Sequence, residues 1–164
     1  MTPDEIARLP YRPCVGIMLA DRAGRVFVGR RRDRFRDAWQ MPQGGIEPGE
    51  DVQAAALREL GEETGVIPAL VRIEAMAGPL VYDLPPEAVP GFWGGRFRGQ
   101  EQTWVLMRFL GQDADIDIET PEPEFTVWRW SPVAELAAHV VDFKRPVYER
   151  VVAELGPRAA TGAP

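Results

Sequence analysis

The stretch from Gly44 to Val66, GGIEPGEDVQAAALRELGEETGV, constrains this chain more than any other. Its Gly/Pro-rich start reads as a loop. The alanine- and leucine-rich middle predicts a helix from about Glu50 or Asp51 to Glu63 or Thr64, with Gln53, Ala56, Leu57 and Leu60 facing inward and Gly65 ending it in the left-handed conformation. At about 100° per residue, Glu59, Glu62 and Glu63 share one face, because positions i, i+3 and i+4 are neighbours. No lysine or arginine lies between Glu59 and Glu63 to relieve the repulsion. Arg58 stands four residues before Glu62 and predicts an ion pair with it. A solvated acidic face is the ordinary explanation of such a helix, but the glycine loop and Glu50 before it argue for more. A hard divalent cation held by carboxylate oxygens would remove the repulsion.

The rest of the chain limits what that cation is for. A length of 164 residues with 45% apolar and 27% charged residues suits one globular domain. We expect it over residues 1–155, with 156–164 as a disordered tail. Met1 to Pro10 reads as a loosely held acidic terminus without the apolar core of an export signal, and no apolar run approaches the roughly 18 residues a membrane span needs. With one cysteine, Cys14, no internal disulfide forms, so a cytoplasmic location is expected. The net charge of −6 argues against broad nucleic-acid binding, yet Arg22, Arg25, Arg30, Arg31, Arg32, Arg34 and Arg36 crowd the segment before the acidic helix. Basic residues beside a metal-binding face suit a polyanionic substrate.

Strands are predicted at Cys14–Leu19, Arg25–Arg30, Leu70–Met76, Leu80–Leu84, Thr103–Leu110 and Phe125–Trp130. Pro90 to Gly99 reads as a flexible basic and aromatic loop. Ser131-Pro132 predicts a capped helix over Val133–Ala138, and Val147, Tyr148, Val151, Val152 and Leu155 predict a last helix from about Arg145 to Leu155. The mixture is α+β. The lone His139 excludes a His/Cys zinc site and a Ser-His-Asp triad, and no GxxxxGK[ST] loop is present. Oxygen-ligand metal chemistry remains: Glu59, Glu62 and Glu63, with a backbone carbonyl from the Gly44-Gly45 loop, holding Mg²⁺ or Mn²⁺ against phosphate oxygens.

Gly44, Glu50, Arg58, Glu59, Leu60, Glu62, Glu63, Gly65 and Val66 fill every defined position of Gly-x5-Glu-x7-Arg-Glu-(apolar)-x-Glu-Glu-x-Gly-(apolar), so the stretch resembles the Nudix box. The resemblance implies an α/β/α sandwich with a mixed central sheet, metal-dependent hydrolysis of phosphoric anhydride bonds, and metal-binding roles for Glu59, Glu62 and Glu63. Outside the box, Tyr11 to Gly16, Trp39 to Gly45, Gly99 to Gln102 with Trp104, Pro123 to Phe125, Trp128 to Trp130, and Phe143 to Arg145 with Val147 and Tyr148 resemble one subgroup. It contains the bacterial RNA pyrophosphohydrolases and the related dinucleoside polyphosphate hydrolases.

By matching position, the resemblance implies that Arg12 and Lys144 contact phosphate and that Glu124 is a further metal ligand. It also implies that Arg31 and Phe143 hold a base, with Tyr82 a further candidate. Either Glu59 or Glu63 would act as base towards the attacking water, with Glu50 and Arg58 in support. The activity so implied converts 5′-triphosphate RNA ends to 5′-monophosphates and promotes RNA decay. Asymmetrical cleavage of diadenosine tetraphosphate is the alternative, and a non-catalytic nucleotide-binding module a distant one. Neither a membrane nor an obligate protein partner is implied. Cys14, where the subgroup usually has asparagine, and the arginine-rich loop from Arg31 to Asp37 depart from the pattern.

Overall fold

A computed structural model describes residues 1–33 and 35–161. In order, the elements are α1 (Pro3–Ala7), β1 (Tyr11–Ala20), β2 (Val26–Arg31), β3 (Trp39–Gln40), β4 (Gln43–Gly45), α2 (Val52–Thr64), β5 (Val71–Asp83), β6 (Gly99–Phe109), β7 (Phe125–Ser131), α3 (Leu136–His139) and α4 (Arg145–Ala160). The strands form one mixed sheet in the order β3-β2-β1-β6-β5, with β4 paired to β1 and β7 to β2. The centre is a parallel pairing of β1 with β6, in register from Tyr11 opposite Gly99 to Ala20 opposite Arg108.

Both faces of the sheet are covered, which explains why β1 and β6 read as nearly continuous apolar runs. Val15, Ile17 and Leu19 of β1 and Val105, Met107 and Phe109 of β6 pack in one cluster with Ala55, Ala56 and Leu60 of α2. Met18 and Ala20, with Trp104 and Leu106, belong to a second cluster with Leu136 of α3 and Val147, Tyr148, Val151, Leu155 and Ala159 of α4. Alternation along each strand thus sends successive side chains to opposite layers, and the architecture is the expected α/β/α sandwich.

Several local expectations need correction. The first ten residues are not loose: Thr2 and Glu5 close a capping box around α1, with Pro3 in its first turn. The two strands expected between Leu70 and Leu84 are one strand, β5, whose pairing with β6 shifts register between Ala77 and Leu80. The inward face of α2 uses Ala55 where Gln53 was expected, and Gln53 is exposed. Ser131 does not cap a helix: it ends β7, and its hydroxyl donates to the Pro132 carbonyl. Only a 3₁₀ turn at Val133–Glu135 and the short α3 follow. The last helix does not stop at Leu155 but continues through Ala160, because Gly156 and Ala159 are buried against the layer beneath. Of the expected tail, residues 162–164 lie outside the described residues.

The end of α4 is held by a buried cation. Arg108 donates to the carbonyls of Ala159 at 2.9 Å, Arg158 at 3.1 Å and Asp21 at 2.8 Å, and pairs with Glu74 at 3.0 Å. A guanidinium suits these carbonyls, since the C-terminus of a helix carries partial negative charge.

Candidate active site

The box starts within β4, at Gly44, and spans the loop after it and the whole of α2. Asp51 caps α2 by accepting from the backbone N–H groups of Gln53 and Ala54, and Gly65 closes it at φ 71° as expected. Within this frame Arg58 is the tie. Its Nε and Nη2 each donate to Glu50 at 2.8 Å, its Nη2 donates to the Gly45 carbonyl at 2.9 Å, and its Nη1 donates to Glu59 at 2.8 Å. The expected contact with Glu62 is longer, 3.4 Å, and Glu62 is the exposed member of the acidic set. One side chain therefore fastens the helix to the loop and the glycine strand.

The glycines of β4 make room for the charges. A Cβ on Gly44 would stand 2.0 Å from the Glu59 carboxyl carbon, and one on Gly45 would stand 2.4 Å from Nη2 of Arg12. Glu59 and Arg12 thus both press against a backbone without side chains. Beside them, Glu63 is buried at 5% exposure, and its carboxylate accepts the Gln43 N–H at 3.2 Å. Glu124, on the loop before β7, is placed by its carbonyl, which accepts the Arg32 N–H at 3.1 Å. Burial, then the neighbouring Glu124 and Glu59, push the Glu63 carboxyl well above the usual carboxylate range. Burial also raises Glu59; Arg58 opposes this, and the charge of Glu62 adds to it.

These groups line a cleft of about 680 Å³. Glu59, Glu62, Glu63, Glu124, Gly44, Arg12 and Arg31, all foreseen from the sequence, form its walls. Glu50 and Arg58 stand behind it. Tyr82, Phe143 and Lys144 do not line it. Tyr82 is 6% exposed and packs on Phe143, which meets Phe35 edge to face. Lys144 is 3% exposed and donates to Gln40 Oε1 at 3.2 Å; burial, with the charge of Arg31, pushes its amine down to about 7. Gln40 also accepts from Arg31 at 3.1 Å, so Lys144 reaches the cleft wall through Gln40.

Other lining residues escaped the sequence reading. Phe92 and Trp93 come from the segment taken as a flexible loop, whereas the backbone there forms a 3₁₀ turn at Pro86–Gly91 and a left-handed turn at Trp93–Gly95. Beneath the cleft, Trp104 Nε1 donates to Gln102, whose amide donates to Gln43 at 2.8 Å and to Gln100 at 2.7 Å. This buried amide chain supports the strand that carries Gly44 and Gly45. Its signal was available: Gln100, Gln102 and Trp104 alternate, so they share one face of β6.

Among the described residues, no three acidic, histidine or cysteine side chains converge as a ready-made metal cluster. The carboxylates are spread along the cleft wall, with Glu59 and Glu62 drawn to Arg58. The donor chemistry nevertheless fits a hard divalent cation. It consists of carboxylate oxygens, partly buried and repelling one another, with Glu63 raised by burial and by the charges of Glu124 and Glu59.

Comparison with known proteins agrees with this geometry. The family model of the NUDIX domain matches residues 10–151. The chain is 61% identical over 153 residues to a protein of Roseobacter denitrificans named RNA pyrophosphohydrolase, covering 93% of this chain and 96% of that protein. A protein of the same name from Sphingopyxis alaskensis is 54% identical over 151 residues, covering 92% and 96%. Among solved structures, the E. coli dihydroneopterin triphosphate pyrophosphohydrolase superposes with a TM-score of 0.66 at 19% identity, over 88% of this chain and 99% of that one, which bears on the fold alone. Nudix hydrolases generally use divalent metals. The matching domain, the sandwich that presents the box, and relatives this similar over nearly their whole length together establish that the chain belongs to the Nudix family, as a hydrolase of pyrophosphate bonds.

Proposed function

We propose that this protein is an RNA 5′-pyrophosphohydrolase, which converts 5′-triphosphate RNA ends to 5′-monophosphates and so promotes RNA decay. One observation carries the reading: the cleft sets a wall of repelling carboxylates, Glu59, Glu63 and Glu124, in the same cavity as the guanidinium groups of Arg12 and Arg31. That combination fits a polyphosphate with its metal counter-ions better than any neutral ligand. The name shared by its relatives in Roseobacter denitrificans and Sphingopyxis alaskensis supports RNA as the carrier of that polyphosphate.

Glu59, Glu62, Glu63 and Glu124, with the Gly44 carbonyl, would hold Mg²⁺ or Mn²⁺. When bound, such an ion supplies charge neutralisation at phosphoryl oxygens and lowers the pKa of water. The chain's own groups do the rest. Arg12, braced on Gly45, grips phosphate oxygens, and Arg58 sets the rotamer of Glu59. Glu59 or Glu63, both on the cleft wall, takes the proton of the attacking water. Lys144, held by Gln40, adds positive potential from behind the wall, and Arg31 supports the nucleoside end.

Purified protein with Mg²⁺ or Mn²⁺, given 5′-triphosphate RNA and diadenosine tetraphosphate in parallel, tests the reading. We expect kcat/KM to favour the RNA. A preference of more than about tenfold for the dinucleotide, roughly 1.4 kcal/mol in transition-state binding, would overturn it.

A further inference from the structure

Among the described residues, Trp93 is the one residue other than glycine with a positive φ, 47°. A bulky side chain there is an outlier, held against a strain of about 1–3 kcal/mol. Gly94 at φ 68° and Gly95 at φ 71° continue the same left-handed turn. Glycine or asparagine would suit the backbone at position 93. The chain instead spends that position on an indole that lines the cleft.

The surroundings of the ring give it a direction. Arg12 Cζ lies 5.2 Å from its centroid, and the same guanidinium lies so close to Gly45 that a Cβ there would stand 2.4 Å from Nη2. Arg12 therefore links the glycine strand beside the carboxylates to Trp93. Phe92 at 5.4 Å and Phe97 at 6.2 Å, the latter edge to face, brace the ring. Trp93 is only partly buried and lines the cleft, whereas Tyr82 is buried and Phe143 is packed on it outside the cleft.

We propose that Trp93 is the stacking platform for a nucleobase of the bound RNA, so that the polyphosphate rests on Arg12 and a base rests on the indole next to it. The inference rests on the RNA reading of the cleft. Base–aromatic stacking is tolerant of base identity, so Trp93 would select for a nucleoside-bearing polyphosphate without reading its sequence.

The test compares wild type, Trp93→Phe and Trp93→Asn on 5′-triphosphate RNAs that are intact or abasic at the first, second or third nucleotide. Asparagine tolerates the left-handed backbone, so Trp93→Asn separates the ring from the turn that carries it. With intact RNA, Trp93→Asn should raise KM about tenfold, and Trp93→Phe should recover most of that loss. On one of the abasic RNAs the difference between wild type and Trp93→Asn should vanish. As a second measurement, quenching of tryptophan fluorescence by intact RNA should fall in Trp93→Phe, but not on that abasic RNA. An equal loss on every abasic RNA would mean that Trp93 acts only through Arg12 or the backbone, and would overturn the proposal. If wild type fails to convert intact RNA at all, the assigned function is what fails. Normal conversion without coupling sinks the Trp93 inference alone.

Discussion

Arg58 and Glu50 lie eight residues apart and meet in a forked pair, Nε to Oε2 and Nη2 to Oε1, both at 2.8 Å. Arg58 holds the Glu50 carboxyl down to about 2. The fork leaves Nη1 aimed at Glu59, so the pair acts on the cleft through the rotamer of a neighbouring carboxylate. An ammonium cannot reproduce this geometry, because it offers no planar fork. Arg58→Lys should therefore lower kcat about 10- to 100-fold while KM for RNA changes little. Steady-state kinetics beside a thermal melt checks this, and wild-type kcat in Arg58→Lys would remove Arg58 from the positioning of Glu59.

Glycine at position 44 is required by space. The Cβ of alanine would overlap the Glu59 carboxylate, 2.0 Å from its carbon, so the side chain has to move. A displacement near 1 Å at a reacting centre costs about 100-fold in rate. Gly44→Ala should show a loss of that order in kcat with nearly unchanged urea unfolding, since Glu59 shifts and the core does not. A melt that collapses together with activity would assign Gly44 to the fold instead.

Glu63 makes the metal-free protein pH-sensitive in a defined direction. Its folded-state carboxyl is raised above the unfolded value, so the folded state binds the proton more tightly. Stability then falls as pH rises from the ordinary carboxylate range through the raised folded value. Glu63→Gln should raise the melting temperature in EDTA at neutral pH while turnover falls by orders of magnitude. Added Mg²⁺ should stabilise wild type, by offsetting the repulsion, far more than Glu63→Gln. Scanning fluorimetry with and without Mg²⁺ would show it, and a lower metal-free melting temperature in Glu63→Gln would contradict the charge argument.

Glu74 has the opposite sign. Its side chain is 2% exposed and pairs with Arg108, Arg72 and Arg158, and hydrogen bonds, first from Arg108, hold its carboxyl down to about 2. Its stabilisation is in place above an unfolded value of about 4.5 and is lost as pH falls towards 2. Glu74→Gln leaves Arg108 buried without a counter-charge and should cost about 3–5 kcal/mol at pH 7. Urea unfolding at pH 7 and pH 3 checks this: the gap between the two proteins should narrow at the lower pH without closing, with kcat at 25 °C preserved in the variant.

Much of this was legible along the chain because it is local. Asp51 caps α2, Gly65 closes it, and Glu59, Glu62 and Glu63 follow from the helical repeat within about one turn. The box spacing already grouped Glu50 and Arg58 with these, although their forked contact emerged only on folding. The missed pieces divide by cause. The capping box of Thr2 and Glu5 is a local signal that was overlooked, whereas Trp93 carries no periodicity and follows a proline-rich stretch, so nothing nearby marks it as a wall of the cleft.

By itself, then, the sequence determined the acidic helix, its caps, the apolar runs of the central strands and the family those features belong to. All of these arise from interactions a few residues apart. Only the tertiary structure decided which charges share a cleft. Arg12, Gly44, Glu63, Trp93 and Glu124 come from five separate segments, and their meeting depends on the registers of β1 with β4 and β6 and on the core that seats α2 on the sheet. The same packing withdrew Lys144 and Tyr82 from solvent, because burying the α4 side of the sheet left them beneath the wall rather than on it.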